Sequence, residues 1–200
     1  MSQGITRVKG PVASLQRADI DTDAIFPARY LKTTVRQGMG RYLFADWVAA
    51  NNPDASFVSA GSATRILIAG RNFGCGSSRE HAVWALTDYG IQAVVALSFG
   101  DIFRNNAVKN GLVTATLSLI DHLVLTQQLN GDGSVLDMDI TNCEVVTPHG
   151  LKIKFEMVRG HLAQLLSGED DITRTLRYAD VLAAHEAVVA IKTPWLQRID

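Results

Sequence analysis

The 200-residue sequence has little of what marks secreted, membrane-bound or metal-binding chains. Its two cysteines, Cys75 and Cys143, are too few and too far apart for a disulfide framework or a four-cysteine zinc site, and they cannot hold an iron–sulfur cluster alone. The longest apolar runs have five residues, at 93–97 and 187–191, against roughly 20 for a membrane-spanning helix. Residues 1–7 lack the apolar core of a signal peptide. We therefore expect a cytoplasmic protein without membrane association.

An excess of charge of either sign is also lacking. The chain has 19 Lys and Arg residues against 20 Asp and Glu residues, which gives a formal net charge of −1. This balance excludes binding to nucleic acid or to anionic membranes through bulk charge. Any anion must therefore be bound locally. With 47% hydrophobic residues and no repeat or linker, the sequence predicts one domain over residues 1–200.

The middle of the chain carries the alternating pattern of a parallel α/β sheet. The predicted strands are 65–70, 91–97 and 112–117, and the predicted helices between them are 78–89 and 101–110. Pro11 and the four other prolines are interpreted as loop residues. Short strands at 135–140, 143–146 and 151–155 are predicted to be antiparallel. Two helices are predicted to end the chain, at 157–166 and 174–189, the second with an apolar face of Tyr178, Val181, Leu182, His185 and Val189. The fold class is therefore α/β, with a parallel βαβ core, additional antiparallel strands and C-terminal helices.

The loop Gly70-Arg-Asn-Phe-Gly-Cys-Gly-Ser-Ser-Arg-Glu-His81 lies between a predicted strand and the helix that follows it. Open α/β sheets bind ligands at this position. A helix start offers unpaired N–H groups to an anion, and the guanidinium of Arg79 can bind a carboxylate through two parallel hydrogen bonds. The loop therefore predicts a carboxylate-binding site.

Other interpretations of this loop and its neighbourhood stay open at this point. Ser77 and Glu80 have the spacing of a helix capping box, and Ser78 is a second candidate for the cap. Cys75 could be a thiolate nucleophile if the helix start lowered the pKa of its thiol. The loop lacks the endings of dinucleotide-binding and Walker motifs.

Several segments together identify the chain as a member of a known family. The most specific is Asn72-Phe-Gly-Cys-Gly-Ser-Ser-Arg-Glu-His81, followed by Trp84-Ala-Leu-Thr-Asp-Tyr-Gly90. Five more are Asp21-Thr-Asp-Ala-Ile-Phe-Pro-Ala-Arg-Tyr-Leu-Lys32, Leu43-Phe-Ala-Asp-Trp47, Ser98-Phe-Gly-Asp-Ile-Phe-Arg-Asn-Asn106, Lys109-Asn-Gly-Leu112 and Gly168-Glu-Asp-Asp-Ile-Thr-Arg-Thr-Leu176. They cover most of the chain. The sequence resembles the small subunits of 3-isopropylmalate dehydratase, which are similar to the swivelling β/β/α domain of aconitase.

This resemblance implies a hydro-lyase of leucine biosynthesis that works only with a large subunit, in a heterodimer or heterotetramer. In the family the large subunit carries a 4Fe-4S cluster, and the small subunit binds no cofactor or metal of its own. The resemblance makes Ser77 the catalytic base, and it makes Ser78 and Arg79 ligands of a substrate carboxylate. Tyr30, Leu31, Lys32 and Thr33 match the loop that faces the variable side chain of the substrate, although Tyr30 and Leu31 could equally be packing residues.

One departure bears on the substrate. The chain has Met157-Val-Arg-Gly-His-Leu162 where family members of leucine biosynthesis usually have paired arginines. The same chemistry on citraconate or 2-methylmalate, dimethylmalate or homoaconitate is therefore an alternative. A noncatalytic, carboxylate-binding regulatory subunit is an alternative of another class.

Overall fold

A computed structural model describes residues 4–32, 35–129, 133–193 and 195. Within this part of the chain, seven strands form one mixed sheet in the order β4-β3-β2-β1-β5-β6-β7. The strands are β1 (Arg7–Leu15), β2 (Ile66–Ala69), β3 (Ala93–Ala96), β4 (Val113–Thr116), β5 (Val135–Asp139), β6 (Glu144–Val146) and β7 (Lys152–Lys154). Strands β1 to β4 are parallel, whereas β5, β6 and β7 join the other edge in antiparallel pairs.

Strand β1 joins the parallel and antiparallel halves of the sheet. Its first residues pair antiparallel with β5 and its last residues pair parallel with β2. The sequence does not predict this strand, and the interpretation of Pro11 as a loop residue is wrong. Pro11 lies where β1 changes partner, and its carbonyl accepts a hydrogen bond from the Arg65 amide at 2.9 Å. A proline is tolerated there because the strand needs no N–H donor at that point.

The helices of the described residues cover both faces of the sheet. They are α1 (Thr22–Ile25), α2 (Ala45–Ala49), α3 (Ser56–Ser59), α4 (Glu80–Tyr89), α5 (Asp101–Lys109), α6 (Leu119–Gln127), α7 (Arg159–Ser167), α8 (Asp171–Leu176) and α9 (Ala179–Lys192), with short 3₁₀ turns at Ala28–Tyr30, Gly40–Tyr42 and Pro53–Ala55. The βαβ pattern predicted from the sequence is confirmed by β2, α4, β3, α5 and β4. Both predicted C-terminal helices are confirmed, as α7 and α9, but the start predicted for the second at 174 is wrong, because the chain forms α8 and α9 with a break between them.

Two hydrophobic clusters lie on opposite faces of the sheet. Along β2, Leu67 and Ala69 belong to one cluster, while Ile66 and Ile68 belong to the other. Successive side chains of a strand point to opposite faces, so a strand buried on both sides is apolar throughout. The continuous apolar run that predicted this strand thus follows from helices and loops covering both faces.

Candidate active site

The loop that follows β2 is fixed against the loop that follows β3. The Phe73 amide donates to the Ser98 carbonyl at 3.0 Å, and the Gly100 amide donates to the Phe73 carbonyl at 2.9 Å. The Asn72 amide also donates to the Ser98 hydroxyl at 2.8 Å. Both loops leave the carboxyl ends of neighbouring parallel strands, where this class of sheet places its ligands.

The same loop is bonded on its other side to the segment after β1. The Gly74 amide donates to the Ile20 carbonyl at 2.7 Å, and the Thr22 amide donates to the Cys75 carbonyl at 3.0 Å. The Thr22 hydroxyl donates to the Ser77 carbonyl at 3.0 Å. Backbone hydrogen bonds to both neighbours therefore set the position of the residues that lead up to Ser77.

Gly74 gives this loop its close approach to the core. Its φ is +72°, and a Cβ built there would lie 2.2 Å from Cγ of Phe103. Phe103 is buried, and its ring packs edge-on against Phe73 at 5.3 Å. Only a glycine combines a positive φ with such proximity to an aromatic ring. The loop therefore rests directly on the aromatic layer beneath it.

The loop leaves Ser77 and Ser78 exposed immediately before α4, and Arg79 is partly buried. The helix begins at Glu80, with Arg79 at the N-cap position and no side-chain hydrogen bond to the cap. The interpretation of Ser77 or Ser78 as the helix cap is therefore wrong. The Glu80 carboxylate does not reach back to the cap; instead its Oε1 accepts from Asn110 Nδ2 at 2.8 Å. The serine hydroxyls are consequently not used by helix capping.

Arg79 forms an ion pair with Asp23, a residue that lies outside the motif of the loop. Nη1 of Arg79 contacts Oδ1 of Asp23, and the Arg79 side chain is 17% exposed. The Arg79 guanidinium holds the pKa of the Asp23 carboxyl below its usual range. Asp23 also accepts from the Ala28 amide at 3.2 Å. Its place in the segment Asp21-Thr-Asp23, which matches the family pattern, is the signal that could have found it.

The other two aspartates of this segment have different partners. Asp21 caps α1 by accepting from the Ala24 amide at 2.7 Å. Asp19 accepts from Arg71 Nη2 at 2.7 Å and from Asn72 Nδ2 at 2.8 Å. In the part of the chain that the structure describes, no group of three or more His, Cys, Asp or Glu side chains is arranged to hold a metal ion.

Tyr30, Leu31 and Lys32 lie in the next loop along the chain, and Thr33 lies outside the described residues. The Tyr30 ring stacks on Tyr42 with centroids 4.1 Å apart, so it has a packing role. Leu31 and Lys32 are exposed. Tyr30 also contacts Phe26, which stacks on His81 at 5.9 Å. Aromatic contacts thus connect this loop to the first turn of α4, and its role in substrate selection stays a prediction.

Cys75 does not have the environment of an activated thiolate. Burial, followed by the charges of Asp21 and Asp19, raises the pKa of its thiol above the ordinary value. A neutral thiol is a weak nucleophile. The surroundings of Cys75 therefore do not support the thiol-enzyme interpretation.

The geometry suits the binding of a small carboxylate between this chain and a second surface. Two exposed hydroxyls and a partly buried guanidinium lie beside the N-terminus of α4. The first N–H groups of a helix have no intrahelical acceptor, and together with a cation they favour a negative charge. The hydroxyls have the exposure needed to meet a molecule held from the opposite side.

Comparisons with known proteins agree with this geometry. Residues 2–119 match the family of the aconitase C-terminal domain. The 3-isopropylmalate dehydratase small subunit of Albidiferax ferrireducens is 39% identical, with 98% of each chain aligned. That of Xanthobacter autotrophicus is 42% identical over 96% of this chain and 98% of its own.

A solved structure confirms the predicted fold class. The crystal structure of 3-isopropylmalate dehydratase from Methanocaldococcus jannaschii superposes with a TM-score of 0.67 at 30% identity. It covers 90% of this chain and 99% of its own. Sequence and fold agree over nearly the full length. The chain therefore belongs to the family of 3-isopropylmalate dehydratase small subunits, within the aconitase superfamily.

Proposed function

We propose that this chain is the small subunit of a hydro-lyase that interconverts 2-isopropylmalate and 3-isopropylmalate by dehydration and rehydration, a step of leucine biosynthesis. The observation that carries the proposal is the exposed Ser77 and Ser78 pair beside Arg79, at the start of α4. This arrangement supports binding of a carboxylate substrate together with a proton transfer at an adjacent carbon. The names of its relatives agree with this activity.

In this proposal Ser77 is the base. Its Oγ takes the proton from the carbon next to a substrate carboxylate during dehydration and returns it during rehydration. The cluster of the large subunit would supply the Lewis acid that accepts the hydroxyl leaving the neighbouring carbon. A serine oxyanion is a poor species in water, and it becomes accessible only where N–H groups and a cation stabilise the charge. In this proposal the start of α4 and the Arg79 guanidinium, two to three residues along the chain, supply such stabilisation.

Ser78 and Arg79 bind the substrate carboxylate in this proposal. Nη1 of Arg79 already contacts Asp23. The carboxylate is therefore received by the other donors of the guanidinium fork. Asp23 holds the fork in one orientation, which reduces the freedom that is lost when substrate binds. Tyr30, Leu31 and Lys32 face the branched alkyl group in the same proposal, where burial favours it by about 0.8 kcal/mol per methylene.

The proposal includes a large subunit that carries a 4Fe-4S cluster and completes the pocket. The described residues of this chain do not suit such a cluster, because Cys75 and Cys143 are far apart in sequence and no metal-binding group of side chains is present among them. Among the described residues no helix is long and apolar enough to span a bilayer. We propose that residues 1–200 act as one aconitase-type domain in the cytoplasm. Heterodimer and heterotetramer are both compatible with the proposal.

The test is reconstitution with the cognate large subunit under anaerobic conditions. Formation of the alkene from isopropylmalate is followed by its absorbance, and citraconate, dimethylmalate and homoaconitate are assayed in parallel. We expect turnover of isopropylmalate and, for Ser77→Ala, a loss in kcat of roughly 10² to 10⁴ with binding less affected. Ser56→Ala, an exposed serine at the start of α3, is the matched control and should keep normal turnover.

Normal turnover by the Ser77→Ala variant would remove Ser77 from the chemistry. Preference for another acid would keep the reaction class and change the substrate. Binding of isopropylmalate without any effect on turnover by the large subunit would favour a regulatory subunit instead.

A further inference from the structure

Arg104, near the start of α5, carries a buried donor without an acceptor. Its side chain is partly buried, and its Nε atom makes no hydrogen bond to any described residue. None of the ion pairs among the described residues includes it. Its Cζ lies 5.9 Å from the centre of the Phe99 ring. A buried charged group is normally paired, because leaving it without a partner costs free energy.

His161 carries a second buried polar atom of this kind. It lies in the first turn of α7, a helix that packs against α5. Its Nδ1 atom has no hydrogen-bond partner in the part of the chain that the structure describes. Burial, followed by the charges of Arg104 and Arg174, lowers the pKa of His161. The charges that act on this ring are therefore both positive.

Arg174 joins this group from α8. Its Nη1 donates to Oε1 of the buried Gln164 at 3.2 Å, which is a neutral partner. Asp101 and Glu156 are the acidic residues nearest in sequence to Arg104 and His161, and both are exposed. Neither forms an ion pair with a described member of this group, so the local charge is positive.

The start of α7 adds to the positive charge. This nine-residue helix has no acidic residue in its first turn, and its N-cap residue Val158 forms no side-chain hydrogen bond. The first N–H groups of a helix favour a negative charge. A Cβ built on Gly160, in the same turn, would meet no described atom within 4 Å. There is consequently room for a ligand beside these N–H groups.

These residues lie on the edge of the sheet that also carries the candidate active site. Thr116, the last residue of β4, exchanges two backbone hydrogen bonds with Glu156, at 2.9 and 2.8 Å, and so places the segment before α7 at the carboxyl end of that strand. The Arg104 amide donates to the Gly100 carbonyl at 2.9 Å, and Gly100 is bonded to Phe73. Arg104 is thus one helical turn from the loop contacts of the candidate site, on the edge where such sheets bind ligands.

We propose that Arg104, His161 and Arg174 form a site for a small oxyanion between α5, α7 and α8, separate from the carboxylate site at Arg79. The oxygens of the ligand accept from the buried Nε of Arg104 and from the Nδ1–H tautomer of His161. A guanidinium suits such a ligand because its parallel donors match two oxygens of a phosphate, a sulfate or a carboxylate. The Arg79 guanidinium already has a carboxylate partner in Asp23, whereas no described carboxylate pairs with Arg104.

The test titrates the full chain with inorganic phosphate, sulfate and succinate, each against sodium chloride of equal ionic strength. Binding is followed by the nuclear magnetic resonance signals of the His161 ring, which are assigned with a His161→Gln variant. Arg104→Gln removes the charge and the buried Nε. Arg41→Gln is the matched control, because the Arg41 guanidinium also lies over an aromatic ring, that of Tyr42, at 4.6 Å.

We expect at least one of the three anions to bind, and we expect Arg104→Gln to weaken that binding by about 10-fold or more and Arg41→Gln by less than about twofold. The bound anion should raise the pKa of His161, because a negative charge favours the imidazolium. Arg104→Lys, which keeps the charge but lacks the parallel donors, should also weaken binding, and it replaces Arg104→Gln if that variant does not fold.

Thermal unfolding provides a second measurement. Without the anion, Arg104→Gln should melt no lower than the wild type, because an unpaired donor and one of two like charges are removed. Sulfate stabilises proteins in general, so its effect is compared between variants. It should raise the Tm of the wild type and of Arg41→Gln more than that of Arg104→Gln.

The relative affinities identify the ligand. Tighter binding of phosphate or sulfate would assign the site to inorganic oxyanions, and tighter binding of succinate would assign it to dicarboxylates; both support the site. Equal affinities for the wild type and Arg104→Gln, or His161 signals that respond to none of the three anions, would overturn it. A response that Arg79→Gln abolishes would also overturn it, since the anion would then bind at the candidate active site. These outcomes leave the proposed function unchanged, because the measurements do not involve turnover.

Discussion

Replacing Gly74 by alanine should destabilise the chain by about 2–4 kcal/mol. The φ of +72° at this position costs an L-residue about 1–2 kcal/mol, and the reduced freedom of the unfolded chain offsets about 0.4–1 kcal/mol of it. The new Cβ would lie 2.2 Å from Cγ and 2.7 Å from Cβ of Phe103. Contact with the base of that side chain cannot be relieved by rotating the ring, and overpacking of this kind costs about 1–3 kcal/mol.

Gly76 provides a matched control in the same loop. Its φ is also positive, at +87°, but the nearest atom to its Cβ would be Cβ of Asp21 at 3.5 Å, an ordinary van der Waals distance. Gly76→Ala should therefore cost only the backbone strain, about 1 kcal/mol. The free energies of unfolding of both variants and the wild type are measured by urea titration. They are compared with a common slope of unfolding free energy against urea concentration. Equal losses for Gly74→Ala and Gly76→Ala would refute the account of the loop resting on Phe103.

Three further predictions follow from ion pairs and burial. Asp23→Asn should raise KM for isopropylmalate by no more than about fivefold, because Asp23 is 51% exposed and an ion pair screened by solvent contributes about 1 kcal/mol. A loss of kcat beyond 100-fold would instead mean that Asp23 touches the reacting atoms. Arg7 lowers the pKa of Asp137, which joins β1 to β5. The contribution of this pair to the free energy of unfolding is fully present above the pKa of an aspartate in the unfolded chain, about 3.9. It is lost as the pH falls through the lower pKa that Asp137 has in the folded chain. Asp137→Asn should therefore reduce the loss of stability on acidification, and an unchanged dependence of the unfolding free energy on pH would contradict this. Cys75, whose thiol has a raised pKa, should react with iodoacetamide at pH 7.5 more slowly than free cysteine, and alkylation at the rate of free cysteine would exclude this assignment.

The local sequence pattern was sufficient to predict the strands and helices of the parallel core. Strands β2 and β3 are apolar over consecutive residues, β4 is rich in β-branched residues, and the helices between them end at Gly90 and just before Gly111. In such βαβ units the signals are local, so propensity and burial agree. Strand β1 was missed because Pro11 is a local signal for a loop, while its place in the sheet depends on partners far away in sequence.

In the candidate site, too, the sequence indicated some of the residues but not their contacts. The sequence indicated Ser77, Ser78 and Arg79, since their motif is contiguous and specific. It did not indicate that Asp23 pairs with Arg79. It also favoured a capping role for Ser77 with Glu80, which fails because Asn110 binds the Glu80 carboxylate. Residues far apart in sequence compete for the same polar atoms, and spacing alone does not tell which of them wins.

By itself, the sequence determined the family, the α/β class and the loop that carries the chemistry, because each is written in a contiguous stretch of residues. Only the tertiary structure decided that the apolar side chains of α9 lie exposed, that Arg79 pairs with Asp23 and that a Cβ at Gly74 would meet Phe103. Those features depend on atoms brought together across the sheet, where distance in space, not order along the chain, sets the interaction energy.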